Sequence, residues 1–310
     1  MKICRNRAPS ETRCGIRTSA TLGTFDGVHI GHREILGKVV SYARESGFQA
    51  AAITFDRHPQ TVLDSERTLR MITTLDEKLD LMERTGLDIV YVITFSEEIS
   101  RMSPSDFIGE YLVECLGMRH FVVGYDHGFG RNRTGGPGMI AILADEYGFT
   151  LEIVQPVLCE GETVNSSIIR ELINQGRMDK ATLMLGRDFS FSGSVVSGYG
   201  YGKKLGVPTS NIEVEDDLKI MPGQGVYTGW LEHGGAIHEA VISIGSRPTF
   251  GYSDEAIEVH MPDFDGDLYG ERVTVGVTGH IRDIVRFDSK DELVEQIKKD
   301  IDYLYQHTSR

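Results

Sequence analysis

Positive charge is what this chain lacks most. It carries 32 Lys and Arg against 46 Asp and Glu, a formal net charge of −14 at pH 7. Displacing counterions from a nucleic-acid backbone takes an excess of basic residues, so the balance argues against nucleic acid as a partner. An anionic ligand would have to be met by a few local donors. Cysteine is also scarce. Cys4, Cys14, Cys115 and Cys159 are the four in 310 residues, and their spacing fits neither a metal site nor a disulfide framework. A reduced, cytoplasmic protein is expected. No apolar run approaches the roughly 20 residues that cross a bilayer, so no membrane partner is expected. Lys2, Arg5, Arg7, Arg13 and Arg17 make the first seventeen residues basic, without the apolar centre of a signal peptide. Residues 1–17 are expected to be a disordered tail. The remaining length suffices for two domains.

The richest stretch is Thr21-Leu-Gly-Thr-Phe-Asp-Gly-Val-His-Ile-Gly-His32. A short apolar run passes glycines and opens a helix. Such a junction can hold phosphate, because the first helical N–H groups are unpaired and the helix dipole favours an anion. His29 and His32 share one face of the first turn, and both can donate to phosphate oxygens. A lone His-x-x-His would pass as a satisfied pair beside a turn. With Gly23, Asp26, Gly27 and Gly31 interleaved, the phosphate reading is preferred. The candidates here are Gly23, Phe25, Asp26, His29, Gly31 and His32.

Downstream, apolar runs alternate with helical patterns. Helices are expected over 33–46, from Thr73 or Thr74 to Gly86, from Ser103-Pro104 to about Gly117, and over 139–147. Strands are expected over 49–55, 89–95, 120–124 and 151–157. The alternation predicts a parallel sheet covered by helices, a Rossmann-like α/β domain spanning 18–186. Ligands of such sheets lie beyond the carboxyl ends of the strands. That brings the opening motif, Asp56-Arg-His-Pro59 and Tyr125–Arg133 toward one cleft. Asn165-Ser-Ser-Ile-Ile-Arg170 should complete it, with Asn165 as cap, Ser166 and Ser167 in the first turn, and Arg170 as a forked cation suited to a triphosphate. In isolation that stretch is an ordinary serine-rich helix start.

Gly186-Arg-Asp188 marks the expected boundary. Beyond it, short strands are expected over 189–197, 225–232, 237–244, 256–261 and 272–278. They suggest a small antiparallel barrel spanning 187–310, followed by a helix with a Ser289/Glu292 capping box. Within it, Gly198-Tyr-Gly-Tyr-Gly-Lys-Lys-Leu-Gly206 precedes Val-Pro-Thr-Ser-Asn211. Gly198 and Gly202 would let backbone amides approach a phosphate chain, and Lys203 and Lys204 add positive charge. The spacing is not that of a Walker loop, and glycines alone would read as a mobile hairpin. Thr209 and Asn211 alter that reading, since their oxygens can both address one hard cation.

Gly23–His32 resembles the nucleotidyltransferase signature, and Asn165–Arg170 resembles that superfamily's second motif. Thr54-Phe-Asp-Arg-His-Pro59, Thr73-Thr-Leu-Asp-Glu-Lys78 and Val123-Gly-Tyr-Asp-His-Gly-Phe-Gly-Arg131 narrow the likeness. They are similar to the adenylyltransferase half of the prokaryotic bifunctional riboflavin kinase/FAD synthetase family. Gly206–Asn211, Ile244-Gly-Ser-Arg-Pro-Thr-Phe250, Ile257-Glu-Val-His260, Leu268-Tyr-Gly270 and Arg286-Phe287 recur in the order of that family's kinase module. Arg57, His127, Asn165-Ser-Ser167 and Ser210 depart from the family's usual proline, phenylalanine, Ser-Ser-Thr and alanine.

The resemblance implies phosphorylation of riboflavin to FMN and adenylylation of FMN to FAD, with ATP and Mg²⁺. It implies that His29 and His32 meet the transferring phosphates and that Ser166, Ser167 and Arg170 hold the β and γ positions. Asp126, Phe55, His58, Pro59 and Arg286 fall on the flavin side. Thr209 and Asn211 would hold Mg²⁺ and the ATP phosphates. Glu258, on a strand facing the barrel mouth, would accept the riboflavin proton; without the family match it would read as an outward-facing carboxylate. One retained activity, or flavin binding without turnover, are the alternatives. A weak homo-oligomer is left open.

Overall fold

The computed structural model describes residues 1–5, 15–63, 69–130, 135–198, 202, 206–247 and 252–307. Lys203 and Lys204, Arg131, and most of the expected N-terminal tail lie outside the described residues. The chain divides into two compact units, Met1–Ser166 and Ser167–Arg310.

The first unit is a six-stranded parallel sheet: β1 (Lys2–Arg5), β2 (Thr18–Leu22), β3 (Gln49–Phe55), β4 (Ile89–Ile93), β5 (Met118–Gly124) and β6 (Thr150–Val154). The spatial order is β1-β4-β3-β2-β5-β6. The chain therefore progresses outward from β2 through β3 and β4, then resumes on the other flank at β5. The crevice at such a reversal, beyond the carboxyl ends of β2 and β5, is where an open α/β sheet binds its ligand. β2 is buried along its whole length, as a central parallel strand must be.

Lys2–Arg5 corrects the expectation of a disordered start. This segment pairs in parallel with β4, from Lys2 opposite Ile89 to Arg5 opposite Val92. Three of its four side chains are exposed and only Cys4 is buried, so its composition reads as a solvated tail. Basic residues suit an edge strand, where they discourage further pairing.

Helices cover the sheet: α1 (Ile30–Ser46), α2 (Pro59–Leu63), α3 (Leu75–Glu83), α4 (Glu97–Arg101), α5 (Pro104–Phe107) and α6 (Pro137–Tyr147). α1 buries Leu36, Val39, Val40 and Ala43, and Gly47 ends it in the left-handed region at φ 68°. Thr74 and Glu77 form a reciprocal capping box at α3. α5 has Ser103 as cap and Pro104 in its first turn, and it widens into a π-helix over Ile108–Cys115. A short hairpin of β7 (Leu158–Cys159) and β8 (Glu162–Thr163) follows the sheet.

The second unit opens on α7 (Ser166–Asn174) and α8 (Met178–Leu185). The second compact unit takes in most of α7 and all of α8 ahead of Gly186. The reason is packing. Gly223 N–H donates to Ile173 O at 3.2 Å, and a Cβ at Gly176 would sit 2.6 Å from the Tyr227 hydroxyl. α8 buries Met178, Ala181, Met184 and Leu185 and packs on the barrel.

The barrel strands are β9 (Phe189–Val196), β10 (Ser210–Val214), β11 (Gly225–His233), β12 (Ala236–Arg247), β13 (Tyr252–His260) and β14 (Arg272–Arg282). They close in the order β10-β13-β12-β11-β14-β9. Phe189, Phe191, Val195, Ile212, Ile242, Val259, Val275 and Val277 are buried along alternating strand positions. β10 is the strand the sequence reading missed, because Pro208 and the Thr-Ser-Asn run carry turn chemistry. α9 (Lys290–His307) lays Leu304 and Ile301 against Val226 and Val241. Arg282 anchors it through paired bonds to the buried Asp300, Nε to Oδ1 at 3.1 Å and Nη2 to Oδ2 at 2.8 Å. Ser289 Oγ caps the N–H of Glu292 at 3.2 Å, while the Glu292 carboxylate takes the Asp288 N–H rather than closing the expected box.

Candidate active sites

The first site is built at the carboxyl ends of β2 and β3. After Leu22 the chain turns through Gly23–Val28, with the Gly23 N–H donating to Ile53 O at 3.0 Å. The turn is strained: Phe25 and Val28 are held at φ 49° and 38°, and Gly27 at 81°. A left-handed backbone costs a residue such as Val on the order of 1–3 kcal/mol, so surrounding contacts must impose it.

Two buried charges impose it. Asp26, fully buried, accepts with Oδ1 from Ile72 N at 2.9 Å and Thr73 N at 3.1 Å. Thr73 Oγ1 in turn accepts the Gly27 N–H at 3.0 Å. The Asp26 carboxylate thus shapes the loop that leads into the two histidines. Lys78 on α3 is buried and donates from Nζ to Thr24 O at 3.1 Å and Phe55 O at 2.7 Å. Burial pushes its pKa from 10.5 down to about 8, against the opposing pull of Asp26 and Asp56.

The two histidines follow this loop. His29 is the N-cap of α1, and its Nδ1 accepts the His32 N–H at 3.2 Å. A neutral His29 therefore carries its proton on Nε2, as a donor. The rings stack at 3.6 Å, and Phe25 meets His32 edge-on at 5.3 Å. Gly31 makes room: a Cβ there would press on the His29 ring at 3.3 Å. Burial, then His29 and Lys78, hold the His32 pKa well below its usual 6.5. His32 Nδ1 is buried without a hydrogen-bond partner among the described residues. Two stacked imidazoles at a helix N-terminus, one with a buried nitrogen unmet among the described residues, bring ring donors to where an anion is favoured.

Ser166 Oγ donates to Asp26 O at 3.0 Å, which ties the start of α7 to the same loop. Ser167 follows, and Arg170 lies about one turn along the helix. Phe55 packs its ring edge-on to Phe95 at 5.2 Å, and its carbonyl accepts from Lys78. His58 Nδ1 accepts from Gln60 N at 3.2 Å as Pro59 opens α2. Asp126 is exposed in the turn after β5, and Arg286 is exposed between β14 and α9 in the second unit.

The second site lies on the outer face of the barrel. Asn211 on β10 stands directly opposite Glu258 on β13, and Glu258 opposite Ser243 on β12. Directly opposed residues share a face. Their neighbours Ile212, Val259 and Ile242 are the buried, inward set, so Asn211, Glu258 and Ser243 point outward. Strand alternation places Glu258 beside Asn211, on the face turned away from the barrel core. Gly198 covers that surface, since a Cβ there would fall 2.0 Å from Asn211 Nδ2. Gly202 closes on the adjoining segment: its carbonyl accepts Val207 N–H at 2.9 Å, and a Cβ would meet Val207 O at 2.4 Å and Thr209 Oγ1 at 3.0 Å. His260 Nδ1 lies 2.7 Å from Pro208 O, where the ring N–H donates. A hydroxyl, an amide and a carboxylate beneath glycines that leave no room for a Cβ form a set of hard oxygen donors suited to Mg²⁺.

Lys78 and His260 are the residues sequence reasoning passed over. Both belong to stretches that carry the family resemblance, but neither has a neighbour in sequence that signals its partner.

An α/β sheet with histidines at its switch point, and a barrel with oxygen donors beneath a glycine loop, define a nucleotide-dependent transferase with two separate units. Residues 12–168 match the family described as FAD synthetase and residues 185–308 the family described as riboflavin kinase. The bifunctional riboflavin kinase/FMN adenylyltransferase of Listeria monocytogenes is 34% identical over 90% of this chain and 88% of its own. The Bacillus subtilis protein of that name is 32% identical over 90% and 89%. The chain belongs to the bifunctional riboflavin kinase/FMN adenylyltransferase family. A solved structure described as a macrolide-efflux protein from Streptococcus pneumoniae has a TM-score of 0.89 at 28% identity, covering 98% of this chain and 99% of that one. Among the described residues of this chain, no helix is long and apolar enough to cross a membrane.

Proposed function

We propose that the second unit phosphorylates riboflavin to FMN and the first unit adenylylates FMN to FAD. The observation that carries this is that each unit holds its own phosphate-handling arrangement: the His29–His32 stack capping α1, and Asn211 opposite Glu258 beneath Gly198.

In adenylyl transfer, a phosphate oxygen of FMN attacks the α-phosphorus of ATP and the bond to the β-phosphate bridge breaks, releasing pyrophosphate. The nucleophile is already anionic near neutral pH, so alignment and charge relief suffice. His29 Nε2–H and the His32 ring supply donors at the α-phosphate. Ser166, Ser167 and Arg170 serve the β and γ positions, with Gly23 and Gly31 leaving space. Asp26 and Phe25 act through the shape of the loop, and Asp126, His58 and Pro59 bound the flavin side.

Riboflavin's 5′-hydroxyl is a poor nucleophile and must lose its proton as it attacks the γ-phosphorus and ADP departs. Glu258 accepts that proton. Thr209 and Asn211 hold the Mg²⁺ that accompanies ATP, and when bound there it relieves charge on the phosphate oxygens. Gly198, Gly202 and Lys203 serve the ATP phosphates, and Arg286 serves the flavin side. The partners are ATP, riboflavin and FMN, with no nucleic acid, at most weak self-association, and a cytoplasmic location.

The test is to incubate purified protein with riboflavin, ATP and Mg²⁺ and to separate the flavins by chromatography. FMN and FAD should both appear. FMN alone would leave only the kinase assignment standing, and retained riboflavin without product would reduce the protein to a flavin binder.

A further inference from the structure

Lys78 is a buried cation at the site that no step above uses. It sits on α3, away from both phosphate motifs in sequence, yet its ammonium joins the ends of two adjacent strands by donating to Thr24 O and Phe55 O. Thr24 is the residue before Phe25, the first of the left-handed positions. Thr54 Oγ1 donates to the same Thr24 carbonyl at 3.1 Å. That carbonyl is therefore fixed twice, and the loop can take up its strained path only in one direction. α3 itself is fixed by its Thr74 capping box and by the Asp26 bonds to Ile72 and Thr73 just before it. The charged groups acting on Lys78 are Asp26 on the loop and Asp56 after β3, and Lys78 in turn acts on His32 of α1.

We propose that Lys78 is a positioning residue of the adenylyltransferase: by holding the Thr24 and Phe55 carbonyls it locks the Thr24–Val28 turn that presents His29 and His32. The Lys78 charge adds, after burial and His29, to what holds the His32 pKa down. Lys78 does not itself touch the reacting phosphates. The proposal rests on the adenylyltransferase reading of the first unit.

The experiment compares wild type, Lys78→Met, Lys78→Gln and Lys78→Arg in the full chain. FMN adenylylation and riboflavin phosphorylation are measured on each preparation, and the His32 ring is titrated by NMR. In Lys78→Met, adenylylation kcat/KM should fall about tenfold or more, the scale of a lost charge-assisted hydrogen bond. Phosphorylation should stay within about twofold of wild type, an allowance matching the usual context-dependence of such effects. The His32 midpoint should move to higher pH in Lys78→Met and in Lys78→Gln, and Lys78→Arg should restore it. If Lys78→Met does not fold, Lys78→Gln, which keeps a donor without the charge, carries the same comparison. Wild-type adenylylation in a folded variant, or an unmoved His32 midpoint, overturns the proposal. Wild-type protein that makes no FAD from FMN overturns the underlying reading instead.

Discussion

At the residue scale, each histidine of the stack has a separate task. His29 spends Nδ1 on capping α1, whereas His32 keeps a buried Nδ1 unmet among the described residues. His32→Ala should lower FMN adenylylation by roughly a hundredfold, the usual scale for losing one preorganised donor. Riboflavin phosphorylation on the same chain should not change, and a coupled flavin assay on the variant checks both. Glu258→Gln should do the reverse: it removes the proton acceptor, costing FMN formation on the order of 10²–10⁴-fold, while FMN supplied directly is still converted to FAD. Lys78 also gives a pH signature. Its folded pKa of about 8 lies below the ordinary 10.5. Below pH 8 both folded and unfolded chains hold the proton, and the cost of burying the charge is fully present. Between about 8 and 10.5 the unfolded chain binds more protons, so this group's contribution to stability rises with pH. Urea midpoints measured from pH 7 to 10.5 should rise less in Lys78→Met than in wild type. The sequence displayed His29 and His32 because their spacing coincides with glycines. It could not display Lys78, whose partners are carbonyl oxygens on two distant strands and leave no mark on residue type.

At the element scale, the kinase loop depends on close approach. Gly198 and Gly202 differ in a useful way. A Cβ at 198 would collide with a side chain, Asn211 Nδ2 at 2.0 Å, whereas one at 202 would collide with backbone, Val207 O at 2.4 Å. Gly198→Ala should therefore displace the Asn211 amide and abolish most FMN formation with little loss of thermal stability, and Gly202→Ala should lower both. Paired kinase assays and thermal melts distinguish the two. β10 and β1 show why some elements escaped the sequence. β10 begins two residues after Pro208, where turn residues disguise a strand, and β1 is too short and too charged for alternation to emerge from four positions. The longer elements were legible because burial repeats: β9 alternates buried and half-buried over eight residues, and α1 keeps one apolar stripe over five turns. Which side of its strand Glu258 occupies follows from the pairing with Asn211 and Ser243, which residue type alone does not show.

At the scale of the whole molecule, the unit containing the barrel is larger than its strands. α8 buries Met178, Ala181, Met184 and Leu185, and exposing four such side chains would cost several kcal/mol at roughly 1.5–3 kcal/mol each. A fragment spanning 167–310 should fold and phosphorylate riboflavin, while one spanning 187–310 should be aggregation-prone or melt at markedly lower temperature, as circular dichroism would record. The division after Ser166 also separates the two halves of the second phosphate motif along the chain: Asn165 and Ser166 fall in the first unit, Ser167 and Arg170 in the second. A fragment ending at Ser166 would lack Ser167 and Arg170 of the proposed motif, so FMN adenylylation should be lost from it.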